Sequence, residues 1–466
     1  MPEDVTKRTS TDQLIANEDI RPEMADLGDG TTAKARWVVL GYEDPDLGTY
    51  ATYAPTIRHD SKSWLMILCC HRGYRLRSLD ARTAFLAGRA SRRARSVYVL
   101  PPDDVVEYLV RIYGEEARGP LELLKAAYGL GEAPLAWYEE LRDALLKVGF
   151  TRSLADHCLF YFRGSARGKD VPSDYESLPL LGAVGTHVDD LLVTGGGEEF
   201  ENALMDLQDL LPFGKGQEGR LTFCGENYDA ITVNGEPQVL VDQRDHVEHN
   251  SEISVKNEKL SRGSKLSPAL ITEMKSRNGA VQYIATHCHQ HLAFECSYIG
   301  GKTKEGAVKQ DLLDCNKMVR RAHAHRDHVV RFRQLVPSWH LLKMVVFSDA
   351  GWATRVSGHS QCGGLHFATT PGALKGESAP CCLIDTQCQK ITWKTGNAHE
   401  AETHAAIMNL RTAELHQFTY FELSHYDVVS VSRFLGLSTG ERIFMALVVD
   451  NRGLFTQVDI QKLQKQ

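Results

Sequence analysis

The chain has 466 residues, more than one ordinary hydrophobic core accommodates, so two or three domains are expected. Its 42% hydrophobic and 24% charged residues exclude a disordered or fibrous chain, and its net charge of −7 leaves no overall basic footprint for nucleic acid, though it suits an enzyme built on clustered carboxylates. Met1–Leu14 is too polar for a secretory signal, no apolar run nears the roughly 20 residues that span a bilayer, and eleven scattered cysteines without a C-x-x-C pair read as reduced thiols of a cytosolic or nuclear protein.

Residues 1–32 are polar throughout and read as a poorly ordered leader; ordered pattern begins near Lys34. Pro134–Val148 predicts a helix: Pro134 suits its first turn, Trp137, Leu141, Ala144, Leu145 and Val148 share a face, and Gly149 ends it. Arg163–Ser177 is polar and predicts a surface insertion. Leu181–Gly195 predicts two apolar strands meeting at Val188-Asp189-Asp190, with Gly195-Gly196-Gly197 ending the second. Asp242–Ser264 is charged and weakly patterned, a link to another subdomain. Leu341–Phe347 and Phe444–Val449 read as buried strands. Between them Asn397 and Glu400 have the spacing of a capping box, opening a helix that continues through Ile407, Leu410 and Ala413. Two basic runs, Arg89–Arg95 (RASRRAR) and Lys317–Arg333 (KMVRRAHAHRDHVVRFR), could meet phosphates or be solvated helix faces.

The chemistry lies in the acids. Asp189 and Asp190 sit side by side between apolar strands, where a tight turn can present both near one edge. Like charges held together repel unless a cation neutralises them, and Mg²⁺ prefers such oxygen ligands together with substrate phosphates. Asp80, in Ser78-Leu79-Asp80-Ala81-Arg82-Thr83-Ala84-Phe85-Leu86, offers a third acid on a separate strand. Packed beside Asp189, it would let two metals be held about 4 Å apart.

The surroundings of these acids resemble copia-type reverse transcriptases. The matching blocks run in order: Lys34-Ala35-Arg36 with Gly41-Tyr42; Tyr53-Ala54-Pro55-Thr56; Leu79-Asp80 with Thr83-Ala84-Phe85-Leu86; Tyr98-Val99 with Pro101-Pro102; Leu124-Lys125, Tyr128-Gly129-Leu130, Ala133-Pro134 and Ala136-Trp137-Tyr138; Gly149-Phe150-Thr151, Ser153, Ala155-Asp156 and Leu159-Phe160; then Val188-Asp189-Asp190. The resemblance implies that Asp80, Asp189 and Asp190 are palm carboxylates holding Mg²⁺ (or Mn²⁺), with Asp80 and Asp189 as the more direct ligands. It implies that Lys34 and Arg36 grip the triphosphate. Phe85 would form an aromatic floor under the sugar that excludes a 2′-hydroxyl, and Gly129 and Pro134 would shape the backbone near the nascent base pair. The chain departs from the family at His187, where many members have Tyr, at Gly131-Glu132, which replaces a basic-polar pair, and at Leu40, which replaces a basic residue.

A second ordered set of acids follows: Asp349 after an apolar run, Glu402 in Glu400-Ala401-Glu402-Thr403-His404, and Asp450 at a strand end. With Gly363-Gly364-Leu365 and Ile391-Thr392-Trp393, it resembles the RNase H domain that follows the polymerase in copia-type elements. Glu402, not Glu400, matches the catalytic acid, and all three acids would bind metal. A fourth acidic segment is weakly represented, Asp459 being a poor substitute.

The fold expected from these resemblances is a multidomain α+β and α/β chain. Fingers and palm of a right-hand polymerase would occupy residues 33–245, a thumb or connection 246–340, and a truncated RNase H-like domain 341–466. Its partners would be an RNA template, a DNA primer, RNA–DNA hybrid and deoxynucleoside triphosphates, with no membrane, in a cytoplasmic virus-like particle and/or the nucleus. A rival reading is a catalytically inactive, retroelement-derived chain that at most binds nucleic acid. A third is a zinc-dependent module at His287-Cys288-His289-Gln290-His291 with His323, His325 and His328, although its spacing matches no standard zinc module.

Overall fold

The computed structural model describes residues 37–90, 93, 95–164, 180–254, 261–424, 443–451 and 454. The leader, with Lys34 and Arg36, all but the first two residues of the expected insertion, and Asp459 lie outside the described residues.

Helix α1 (His59–Arg72) is buried at every position from Asp60 to Cys70 and is stopped by Gly73 in the left-handed region (φ 62°). A helix with no exposed stripe is covered on all sides. Strand β1 (Arg75–Asp80) leads to the single-turn helix α2 (Ala84–Ala87). The ribbon of β2 (Val97–Val99) and β3 (Leu121–Leu123) flanks helix α3 (Asp103–Tyr113). Helix α4 (Ala133–Lys147) follows, with Pro134 in the turn where a missing N–H is harmless and Trp137, Leu141, Ala144 and Leu145 buried. The helix expected over Pro134–Val148 is therefore present within one residue at each end.

Strands β4 (Thr151–Arg152), β5 (Leu159–Phe162), β6 (Gly182–His187) and β7 (Asp190–Gly195), helix α5 (Glu198–Leu210) and strand β8 (Gln217–Glu218) complete the first layer. The six strands form one sheet in the order β4-β5-β6-β7-β1-β8, with every neighbouring pair antiparallel. The apolar sequences on either side of Val188-Asp189-Asp190 are thus the two arms of a hairpin in the sheet interior.

Strands β9 (Arg220–Phe223), β10 (Glu226–Val233) and β11 (Glu236–Asp242) form a meander. A helical group follows: α6 (Arg244–Glu248), α7 (Pro268–His287), α8 (Ala293–Glu305) and α9 (Lys309–Ala324). Ser267 caps α7, its hydroxyl accepting from the Leu270 amide, ahead of Pro268. These helices enclose their own apolar core. The chain then returns as β12 (Val330–Arg333) to the edge of the meander, so a strand from the 246–340 segment completes a sheet begun before residue 245.

The last unit has β13 (Lys343–Gly351), β14 (Gln361–Thr369), β15 (Cys381–Lys390), helix α10 (Ala398–Ser424) and β16 (Met445–Val449), in the sheet order β15-β14-β13-β16. The first three strands are an antiparallel meander. Strand β16 is parallel to β13 and reaches it by a crossover through α10, the connection that a parallel pair requires. Asn397 caps α10, its side chain accepting from the Glu400 amide, while the Glu400 carboxylate accepts from Gly396. Among the described residues, no helix is long and apolar enough to cross a membrane. All eleven cysteines are free thiols, most of them buried.

One core runs through α1 and the three larger sheets. Trp64 of α1 packs its ring 6.2 Å from Trp339 and 5.7 Å from Tyr420 of α10. Buried polar contacts fasten the last unit to the rest. His416 of α10 donates through Nδ1 to Asp60 (3.1 Å). Glu422 accepts from the Ser153 hydroxyl and from the Leu154 (2.6 Å) and Ala155 (3.4 Å) amides. Glu422→Ala strands these donors, and the expected cost is about 2–3 kcal/mol, read as a lower denaturation midpoint. Glu422→Gln, which keeps an acceptor, should recover most of the loss; equal losses in both variants would show that packing alone matters there.

Much of both basic runs is spent internally. Arg89 pairs with Glu139, Glu140 and Asp143 of α4, and Arg93 with Asp44 and Glu132 at 2.7 Å each. In the second run Arg320 pairs with Glu252 and Arg321 with Glu295. Glu132 is therefore neutralised by Arg93.

Candidate active sites

The first site is assembled at one end of the six-stranded sheet. Asp80 is the last residue of β1 and Asp190 the first of β7, and the two are direct cross-strand partners. Cross-strand partners project their side chains on the same face, and like charges placed so repel. Asp189 lies in the two-residue turn that joins β6 to β7, and its carbonyl accepts from the Ala81 amide (2.8 Å), tying the turn to the end of β1. Among the described residues no ion pair neutralises the three acids. Burial, then the charges of Asp189 and Asp80, push the Asp190 carboxyl up to about 6. The trio is more open than the second set described below, whose oxygens all lie within 4.8 Å of one another.

The turn is strained. Val188 has φ 55°, a conformation foreign to a β-branched side chain. Such a residue costs on the order of 1–3 kcal/mol and persists only where the surroundings hold it. Trp137 of α4 does so: fully buried, it donates from Nε1 to the Val188 carbonyl (2.7 Å). Sequence periodicity marks Trp137 only as a core residue. The signal that could have found its second role is the indole N–H itself, which needs an acceptor once buried.

Two of the matching sequence blocks meet in space. The Val39 amide donates to the Tyr128 carbonyl (2.7 Å), and the backbones at Gly41 and Gly129 approach so closely that a Cβ on Gly129 would lie 1.9 Å from the Val39 oxygen. Gly129 also has φ 95°. Phe85, on α2, is half-buried, with its ring 5.0 Å from that of Tyr128. His187, the last residue of β6, packs edge-on to Phe223 at 6.3 Å.

The second site gathers three acids from three elements. Asp349 lies near the end of β13, Glu402 in the first turns of α10, and Asp450 just after β16. Parallel pairing of β13 and β16 brings Asp349 and Asp450 to the same sheet edge, and α10 supplies Glu402 from above. Glu402 is buried; its Oε1 accepts from the Ala350 amide (3.2 Å), and its Oε2 has no hydrogen-bond partner. Burial, with the charges of Asp349 and Asp450, pushes its carboxyl up to about 7 against the opposing effect of the Ala350 amide. An orphaned buried oxygen among three acids is the donor set of a hard divalent cation such as Mg²⁺. Glu400, two residues earlier, is turned to the helix cap instead.

Residues 22–209 match the family model described as reverse transcriptase (RNA-dependent DNA polymerase), a span that contains Asp80, Asp189 and Asp190. The chain is 34% identical over 163 residues to the retrovirus-related Pol polyprotein from transposon RE1 of Arabidopsis thaliana, covering 35% of this chain and 10% of that protein. It is likewise 34% identical over 168 residues to the Pol polyprotein from transposon RE2 of the same plant, with the same coverage. The matched region is thus about a tenth of the length of these relatives. A solved structure of prototype foamy virus protease–reverse transcriptase aligns at 10% identity over 86% of this chain and 46% of that one, with a TM-score of 0.19, too low to compare the folds. Residues 22–209 are a reverse transcriptase domain of the kind carried by the Pol polyproteins of copia-type retrotransposons.

Proposed function

We propose that the chain is an RNA-directed DNA polymerase with a second centre that hydrolyses the RNA strand of an RNA–DNA hybrid. The observation that carries the first activity is the pairing of Asp80 with Asp190 across one ladder, with Asp189 in the adjoining turn, inside the matched span. In this reading residues 33–245 are fingers and palm, 246–340 a thumb or connection, and 341–466 an RNase H-like unit.

Asp80, Asp189 and Asp190 would hold the cations at the first centre, and Asp349, Glu402 and Asp450 those at the second. Mg²⁺ or Mn²⁺ bound there supplies activation of the primer 3′-hydroxyl, or of water, and charge stabilisation at the leaving oxygen. The chain's own residues set the geometry. Trp137 fixes the strained turn, so Asp189 does not have to be ordered when substrate arrives. Phe85, whose ring packs against Tyr128, would form the floor of the sugar site, and the close Gly41–Gly129 contact holds the backbone next to Tyr128. Lys34 and Arg36 would meet the triphosphate. Hybrid duplex would be held through phosphates and shape, without sequence readout.

The test is primer extension by the full chain on an RNA template with deoxynucleotides and Mg²⁺ or Mn²⁺. Template-dependent extension supports the reading. A folded chain that extends no primer overturns it and favours a relic that at most binds nucleic acid. In an active chain, Phe85→Ala should relax discrimination against ribonucleotides by about tenfold or more, measured by competitive incorporation. Unchanged selectivity would make Phe85 a packing residue only.

A further inference from the structure

Outside the two sets of acids, three side chains from three elements converge on one small cavity. His59 opens α1, Glu226 opens β10 and His287 ends α7; their ligand atoms all lie within 4.8 Å of one another. The cavity they line, with Lys62, Met66 and Tyr228, has a volume of about 20 Å³, room for one water-sized occupant.

The hydrogen bonds leave particular atoms free. His287 Nδ1 lies 2.7 Å from the Tyr283 carbonyl, which can only accept, so Nδ1 carries the proton and Nε2 the lone pair. That lone pair faces Glu226 Oε1 at 3.8 Å. A backbone carbonyl that fixes the tautomer of an imidazole is the usual support of a metal-ligating histidine. Glu226 Oε2 is already engaged by Lys62 Nζ (2.6 Å) and by the Tyr228 hydroxyl, which leaves Oε1 for another partner. His59 Nδ1 is buried and has no hydrogen-bond partner. The lone pairs of His287 Nε2 and Glu226 Oε1 therefore face each other with no donor hydrogen between them, and a ring nitrogen of His59 lies within 4.8 Å of both.

We propose that His59, Glu226 and His287 form a three-ligand site for a first-row divalent cation, zinc above all, with a water as fourth ligand, that clasps α1, β10 and α7 together. Two imidazoles and one carboxylate suit Zn²⁺, whereas Mg²⁺ prefers an all-oxygen shell.

The site differs from the one expected from the sequence. Of that histidine set only His287 takes part. Cys288 is buried with its thiol toward the Val241 carbonyl, and His323 lies 2.6 Å from the Asn250 carbonyl. His289, His291, His325 and His328 form a separate cluster with ring centroids 4.8–5.9 Å apart, but their nitrogens do not converge as those of the first site do.

The test is calorimetric titration of the chelator-stripped full chain with zinc chloride. One tight site per chain is expected, weakened by at least about 100-fold in His59→Ala and in His287→Ala and unchanged in His325→Ala. Lys62→Met, which removes a competing cation from Glu226, should tighten binding. Cobalt in the wild-type chain should give the intense visible absorption of a four-coordinate site, a readout that needs no variant to fold. Absence of a tight site, loss of it in His325→Ala alone, or the weak spectrum of six-coordinate cobalt would each overturn the proposal. None of these readouts depends on polymerase activity.

Discussion

Asp189→Asn is expected to reduce RNA-templated primer extension by about 10³-fold or more, some 4 kcal/mol of transition-state stabilisation, with no loss of thermal stability. The two parts of this result have separate causes. The turn is tied to β1 through the Asp189 carbonyl, which the substitution keeps, and it is held to α4 through the Val188 carbonyl. The side chain, by contrast, forms no bond with any described residue, so its amide replacement removes only charge. That charge is one of those pushing the Asp190 carboxyl up to about 6, so its removal relieves repulsion within the trio. Nucleotide incorporation and a melting curve on the same preparation separate the effects. Activity lost together with several degrees of melting temperature would point to a folding defect, and retained activity would remove Asp189 from the metal shell.

How much of this was legible in the sequence depended on how each element is covered. The helix around Trp137 and Leu141 showed because one of its faces meets water, so the 3.6-residue period appears. The arms of the β6–β7 hairpin showed because apolar strands flank a polar turn. Helix α1 did not show: Asp60, Ser61, Lys62 and Ser63 stand beside Trp64–Cys70, and every one of them is buried, so polarity and position are uncoupled. The polar residues there are tolerated because of distant partners, His416 for Asp60 and Glu226 for Lys62, that lie 356 and 164 residues away. For the same reason spacing along the chain groups the histidine-rich stretch, whereas the structure brings His287 together with His59 and Glu226.

Those long-range partners also bear on how the two acidic centres relate. Burial works against the Asp60 carboxylate, but the His416 hydrogen bond and Arg58 outweigh it and pull its pKa down to about 2. The pair of α10 with α1 therefore stays ionised on the Asp60 side throughout the neutral range. With the Glu422 contacts, it fixes the C-terminal half of α10 against the body of the chain. The N-terminal half of the same helix carries Glu402. One continuous helix thus connects the docking contacts to the second centre, which places that centre by rigid structure and not by a flexible tether.

Glu402→Gln is expected to abolish hydrolysis of the RNA strand in a hybrid, by about 10³-fold or more, and at the same time to stabilise the metal-free chain at pH 8. A glutamine keeps the Ala350 hydrogen bond through its carbonyl oxygen and removes a buried charge beside Asp349 and Asp450. The sign follows from the raised pKa. Wild-type Glu402 has a folded-state value of about 7 against an ordinary 4.5, so its protonated form favours the fold. That contribution is complete below about pH 4.5 and is lost as pH rises through 7. Glutamine does not titrate, so the variant's advantage should open across this window and reach about 1–2 kcal/mol at pH 8, once solvent screening at the mouth of the site is allowed for. Mg²⁺ should reverse the order, because only the wild-type chain keeps the third carboxylate that binds it. Denaturation curves at pH 5 and pH 8, each with and without Mg²⁺, check the prediction. A variant less stable than wild type at pH 8 without metal would mean that Glu402 serves the fold through its charge, and the reading of the three acids as a cation site would fall with it.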